Sequence, residues 1–322
     1  MFGKLPHIHK WMMALVVALL LSGCGDDRPE QIAKYQQLTQ QRLTQLNQAL
    51  ADGQLRNANL LRQYADLLAQ KQPELSPLLT ELAKDSNQTG PMFTSLSQRV
   101  SELSNSANFI DLNQQLEEAE NLYQAVEPAL YNDMLSDPVN VIADMSHGML
   151  SRVNAMSREA EVMANGSGDF GPGSQLVGNP GYGSWQTNSS GTSFWAWYGM
   201  YSMFSNIFNR PVYYDNWSSR RGYSYYNDVG RYRYTSPKQA RSQERVFEQS
   251  KKKFSRQGKN FSSPYAKNRT GSSSLSRQSV STPSAKTTGA SSSKFRSSYA
   301  KSSTSSFRNS SNRTSRGIRS GK

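Results

Sequence analysis

Apolar residues recur at helical spacing through the first half of this chain. At 100° per residue, Ile32, Tyr35, Leu43, Leu46 and Leu50 fall within an arc of about 80°, which predicts an amphipathic helix. Leu60, Leu61, Tyr64, Leu67 and Leu68 repeat the stripe. Asp52-Gly53 separates these two helices, and Pro73 and Pro77 close the second. Phe93, Leu96, Val100 and Leu103 form a third stripe entered through Gly90-Pro91, and Leu112 to Tyr131 supplies a fourth helix. A fifth opens at Asp137-Pro138, a cap residue followed by proline at the first helical position. Its stripe is Ile142, Met145, Met149, Val153 and Met156. One apolar stripe per helix with short polar connections predicts a mostly α fold, a helical bundle or elongated helical hairpins over residues 28–164. Heptads that break about every 20 residues argue against a continuous coiled coil.

The grammar changes at Asn165. Seven glycines and two prolines between residues 166 and 183 read as a flexible Gly-rich linker, residues 165–193. An aromatic-rich segment, residues 194–235, follows. Phe194, Trp195, Trp197, Tyr198, Tyr201, Phe204 and Phe208 are dense enough to be a membrane or partner contact, and equally to pack back on the helices as core. As a helix, Phe194 to Phe208 would be apolar nearly all round, yet too short to span a bilayer. Beyond it, tyrosines alternate with Arg220, Arg221, Arg231 and Arg233. A short helix from Lys238 to about Arg256 is compatible with the pattern. Residues 236–322 otherwise read as a disordered basic tail rich in Ser, Arg and Lys, because 28 Ser or Thr among the last 61 residues leave too little apolar area to offset backbone entropy.

Charge sharpens this division. Residues 25–164 hold 10 basic and 19 acidic residues, and residues 165–322 hold 25 basic and 5 acidic, so the chain's net charge of +13 conceals an acidic body and a basic second half. The last 74 positions contain no acid at all. Such a tail attracts polyanions in a salt-sensitive way. The candidate polyanion-binding residues are Lys251, Lys252, Lys253, Arg256, Lys259, Lys294, Arg296, Arg308, Arg313, Arg316 and Arg319. The acidic body of the same chain is the competing partner for them.

The N-terminus adds an address. Lys4 and Lys10 precede an unbroken apolar run, Trp11 to Leu21, too short to cross a bilayer but suited to a signal peptide. It ends at Leu21-Ser22-Gly23-Cys24, which resembles the lipobox of bacterial lipoproteins. The resemblance implies a signal peptide, residues 1–23, removed before Cys24, and a lipid on the Cys24 sulfur. Residues 24–27 would then be the lipidated anchor, and the protein would sit in the cell envelope. It also implies the outer membrane rather than the inner, since Gly25, not Asp, follows the cysteine. In that compartment the polyanions are lipid headgroups, lipopolysaccharide phosphates and cell-wall carboxylates rather than nucleic acid.

Catalytic chemistry finds little support. Cys24 is the single cysteine, which excludes a disulfide framework and a cysteine-rich zinc site. His147 is the single histidine after Cys24, and the helical wheel turns it toward solvent, away from Ser146. Glu117, Glu118 and Glu120 read as a solvated helix face. The Gly-rich stretch lacks the Gly-Lys-Ser/Thr ending of a phosphate loop. The expectation is a protein without cofactor, metal or catalytic residues, a structural or tethering lipoprotein. The alternative is an accessory subunit that docks on a membrane protein complex through its aromatic segment.

Overall fold

The computed structural model describes residues 26–153, 157–208 and 210–266. Residues 1–25, where a signal peptide and Cys24 lipidation are expected, Met156 and the tail positions Lys294, Arg296, Arg308, Arg313, Arg316 and Arg319 lie outside the described residues. What is described is mostly helical. The first helices are α1 (Arg28–Ala51), α2 (Arg56–Lys71), α3 (Ser76–Ala83), α4 (Pro91–Glu102), α5 (Leu112–Ala125), α6 (Pro128–Met134) and α7 (Ser136–Met145). α8 (Arg158–Asn165) precedes a hairpin of β1 (Gly183–Thr187) and β2 (Ser193–Trp197). α9 (Phe204–Ile207), α10 (Tyr214–Arg220) and the long α11 (Pro237–Arg256) complete the order.

The expected stripes are the buried faces of these helices. Ile32, Leu43, Leu46 and Leu50 of α1 are buried, as are Leu61 and Leu68 of α2, while Leu67 stays half exposed. Phe93, Leu96, Val100 and Leu103 are all buried. α1 lies along α5, where the Tyr35 and Tyr123 rings meet at 5.7 Å and the Arg42 guanidinium sits 3.9 Å over the Tyr123 ring. Two expectations are corrected here. The fourth helix breaks at Glu127, because Pro128 takes the first position of α6 and cannot donate to the preceding turn. The fifth ends at Met145, so Met149 is exposed rather than part of a stripe, and His147 sits outside the helix in a left-handed conformation (φ 52°), exposed.

The second helix ends at Lys71, just before Pro73 as expected, and Pro73 and Pro77 also start new turns of their own. Proline's fixed φ and missing N–H are harmless at the head of a helix. Pro73 opens a 3₁₀ turn and Pro77 lies in the first turn of α3, whose Leu78, Leu79 and Leu82 are fully buried.

The larger correction concerns residues 165–235, which are neither a linker nor a separate contact segment. Leu176, Val177 and Tyr182 are buried in the same apolar cluster as Leu46, Leu61 and Leu122 of the helices. The glycines serve geometry here, not flexibility. Gly178 adopts φ 91°, a left-handed turn that side chains avoid, and a Cβ there would touch the Trp217 ring. A Cβ on Gly183 would lie 2.5 Å from the Ala196 carbonyl oxygen and 2.7 Å from the Trp195 ring, so only glycine lets β1 approach that closely.

Buried carboxylates of the helices tie the two halves together. Asp137, in the first turn of α7, accepts the backbone N–H groups of Tyr225 and Tyr226 at 2.7 and 2.9 Å. Asp85, after α3, accepts the Met92 amide at 3.1 Å and the Tyr182 hydroxyl at 2.5 Å. Glu118 of α5 is buried in a bidentate pair with Arg99 of α4 (2.7 and 3.0 Å), and Arg99 also donates to the Arg233 carbonyl at 2.8 Å. Glu118 is therefore not on a solvated face as its neighbours in sequence suggested.

Burial pushes the Asp137 carboxyl up to about 7, against the pull of its two backbone donors, and pushes Asp85 up to about 6. A carboxyl raised in the folded state binds its proton more tightly there than in the unfolded chain. Its contribution is therefore full below about pH 4 and is lost as pH rises through the folded values. Each pH unit between folded and unfolded values corresponds to about 1.4 kcal/mol, so two carboxyls raised to about 7 and about 6 set an electrostatic cost by neutrality on the order of the protein's whole stability. Urea unfolding between about pH 4 and 7 should show stability falling with pH. Asp137→Asn should flatten that slope and lower stability at the acid end, where one of the two tyrosine amides loses its acceptor. Stability that rises with pH, or an unchanged slope in the variant, contradicts this assignment.

Candidate polyanion-binding helix and adjoining groove

α11 is built to present cations. Ser236 accepts the Gln239 amide while the Gln239 side chain accepts the Ser236 amide, a capping box, with Pro237 in the first turn. Val246 and Phe247 bury the inner face, and Phe247 and Phe254 both contact Phe261. Gln243, also buried, donates to the Gly178 carbonyl (3.1 Å) and the Tyr226 hydroxyl (3.0 Å), and accepts from Arg231 (2.7 Å). With the inner face docked in this way, the outer face is set. Lys238, Arg241, Arg245, Lys252 and Arg256 fall within about 60° of one another on the wheel and run along about 27 Å of helix. All five are exposed, and none has a carboxylate partner among the described residues.

This stripe only partly coincides with the residues expected from the sequence. Lys252 and Arg256 belong to it. Lys251 instead pairs with Glu248 at 3.5 Å, and Lys253 donates to Thr192 at 3.3 Å. Lys259 is exposed beyond the end of the helix. Composition alone misses Lys238, Arg241 and Arg245, although their spacing of three and four residues is a legible signal. The alternating arginines of residues 220–233 are largely consumed internally. Arg221 is buried, pairs with Asp228 at 2.7 and 2.9 Å and holds the Pro264 carbonyl at 3.0 Å. Arg231 lies 4.3 Å from the Tyr265 ring centre, and Arg233 donates to Gln124.

The aromatic contact surface is also corrected. Trp195, Tyr201, Phe204 and Phe208 are buried, and Phe194 and Trp197 are half-buried. Trp197 packs on Phe204 (4.8 Å) and stacks on Phe208 (5.9 Å), while Trp185 contacts Trp195, Tyr214 and Trp217 at about 5 Å. Rings engaged with one another in this way are part of the core. Of the seven, Tyr198 alone is exposed, at 47%. The segment is a strand, a 3₁₀ turn and a single helical turn rather than one helix.

A groove of about 620 Å³ opens between the first half of α11, α4 and the start of β1. Its cations are Lys238, Arg241 and Arg245. Its one acid without a cationic partner among the described residues is Glu102, since Arg99 and Glu118 neutralise each other at its wall. Trp185, Trp195 and Tyr198 supply the aromatic side. Among the described residues no cluster of His, Cys, Asp and Glu has the makings of a metal site.

Residues 26–266 carry 23 basic and 24 acidic residues, so the body is close to neutral, while residues 267–322 carry 12 basic and none acidic. The excess of positive charge therefore lies in residues 267–322 and, locally, along the α11 stripe. Each cation near an anionic lipid surface contributes about 1 kcal/mol. With the unlipidated Cys24→Ser protein and phosphatidylglycerol vesicles, replacing the five stripe cations with Gln should weaken binding at least tenfold, and removal of the tail charges should weaken it further. Co-sedimentation at several salt concentrations measures both. A stripe variant that binds as tightly as its parent removes α11 from the surface.

No family model matches this chain, and neither does any curated protein or solved structure.

Proposed function

We propose that this protein is a lipid-anchored envelope lipoprotein that acts without catalysis as a tether. A lipid on Cys24 holds one end, and the α11 stripe with residues 267–322 grips anionic polymers or lipid headgroups at the other. The observation that carries this reading is the pairing of a lipobox with an unneutralised cationic face. Leu21-Ser22-Gly23-Cys24 lies just before the folded body, which begins its first helix at Arg28. Four residues reach at most about 14 Å, so an acyl anchor on Cys24 would keep α1 close to the membrane. Among the described residues no helix is long and apolar enough to cross a membrane, so attachment by acyl chains at ~0.8 kcal/mol per buried CH₂ is the mode that the sequence supports.

A near-neutral body between a lipid and a strongly basic tail suits a spacer better than a steering surface. The tail is rich in Ser, Lys and Arg, and joining such a charged segment to an anchored body raises the effective concentration of whatever it binds. Headgroup phosphates, lipopolysaccharide phosphates and cell-wall carboxylates are the matching anions of an envelope. Outer-membrane placement follows from Gly25 after the lipobox cysteine, as it does in the lipoproteins that the motif resembles.

Metabolic labelling with a palmitate analogue in a bacterial host tests the anchor. Wild type should take up label and remain with membranes after a high-salt wash, and Cys24→Ser should lose both. Retention of label or of salt-resistant membrane association by Cys24→Ser overturns the proposal.

A further inference from the structure

The two-stranded hairpin has one edge that nothing covers among the described residues. In an antiparallel ladder, facing residues alternate between pairs that exchange hydrogen bonds and pairs that do not. The Tyr198 amide donates to the Tyr182 carbonyl and the Asn188 amide to the Thr192 carbonyl, at 3.0 and 3.1 Å. The bonded pairs between them are then Ser184 with Ala196 and Gln186 with Phe194. Trp195 confirms the phase, because its amide points away from β1 and donates to the Val212 carbonyl at 2.9 Å. On β1 the backbone groups of Gly183, Trp185 and Thr187 therefore point outward, and none of them meets a partner among the described residues.

The first part of that open edge, Gly183 to Trp185, runs along the groove, and Thr187 continues the edge beyond it. Gly183, Ser184 and Trp185 are consecutive and their side chains alternate between faces, yet all three line it, which is what a strand presented edge-on does. Trp195, on the same wall, buries an indole N–H that has no acceptor among the described residues. Natural proteins normally blunt or cover an open edge. Here the opposite wall carries Lys238, Arg241 and Arg245 against Glu102 alone. The α11 N-terminus is not the attraction, since its own capping box occupies it.

We propose that the groove accepts an extended acidic peptide from a partner protein, which adds as a strand to the outer edge of β1 while its carboxylates face the α11 cations. Main-chain hydrogen bonds to Gly183, Trp185 and Thr187 supply register, and the cations supply selection for acidic side chains. The volume of about 620 Å³ lies in the range of specific binding clefts, about 300–1,000 Å³, and suits a short peptide segment. The chain's own tail is excluded as occupant by charge, because residues 267–322 contain 12 cations and no acid. The site is independent of the lipid on Cys24.

The test is fluorescence anisotropy with the full-length Cys24→Ser protein and a short labelled peptide of alternating Val and Glu. The peptide should bind, a Val–Lys peptide should not, and the Val–Glu peptide methylated on alternate backbone nitrogens should bind at least tenfold more weakly. The double variant Arg241→Glu, Arg245→Glu should also lose at least tenfold. So should Thr187→Pro, which removes an outward N–H without touching the hairpin's own ladder. Equal binding of the methylated peptide, or of the Val–Lys peptide, overturns strand addition. So does a groove that ignores peptides and takes up a uronic-acid oligosaccharide, or concentration-dependent dimerisation that Thr187→Pro abolishes.

Discussion

The two halves of this molecule meet at a buried carboxylate and two backbone amides, and the rest of the packing depends on that junction. Asp137 accepts the Tyr225 and Tyr226 N–H groups in a buried site, at the start of the π-helical turn Tyr226–Gly230, where the first amides have no acceptor within the helix. An unpaired amide at that depth would cost of order 1–3 kcal/mol. Asp85 does the same for Tyr182, and the Arg99–Glu118 pair for the Arg233 carbonyl. The helices thus provide the acceptors and the anchored donor that the aromatic half lacks. Burial holds Asp137 and Asp85 near the point of protonation at neutral pH, so the fold keeps this arrangement at an electrostatic cost.

The α11 stripe and the groove both hang on that junction. The turn that Asp137 fixes leads through Tyr226 to Gln243, whose side chain bonds the Tyr226 hydroxyl and the Gly178 carbonyl. Gln243 sets the rotation of α11, and that rotation decides which cations face outward. It also places α11 across from β1, leaving the groove between them. The basic stripe and the open strand edge are therefore products of the same packing rather than independent decorations.

Helices that depend on local periodicity are legible in the sequence. The stripes of α1 and α4 can be read residue by residue, and the pattern places the start of α11 within one residue. Prolines are half legible, because Pro73 and Pro77 signal a boundary without saying that a new helix begins there. Glu118 looks like its solvated neighbours because its partner, Arg99, is 19 residues away in sequence. The glycines of residues 165–193 carry the composition of a linker, yet Gly178 and Gly183 are there for a left-handed turn and a close approach. Aromatic density announces burial or contact without choosing between them. Long-range partners make the choice, such as Asp85, 97 residues from Tyr182. Composition without the helical wheel finds only part of the cationic stripe.

The packing described here makes the helices and the aromatic half one cooperative unit. The tryptophans among the described residues, Trp185, Trp195, Trp197 and Trp217, all lie in the aromatic half, whereas α1 to α7 dominate the far-ultraviolet circular dichroism. Denaturant unfolding followed by both signals separates the two halves spectroscopically. A single unit requires coincident transitions. A tryptophan transition complete while the helical signal is still native would contradict that cooperativity and restore residues 165–235 as a separate, loosely attached segment.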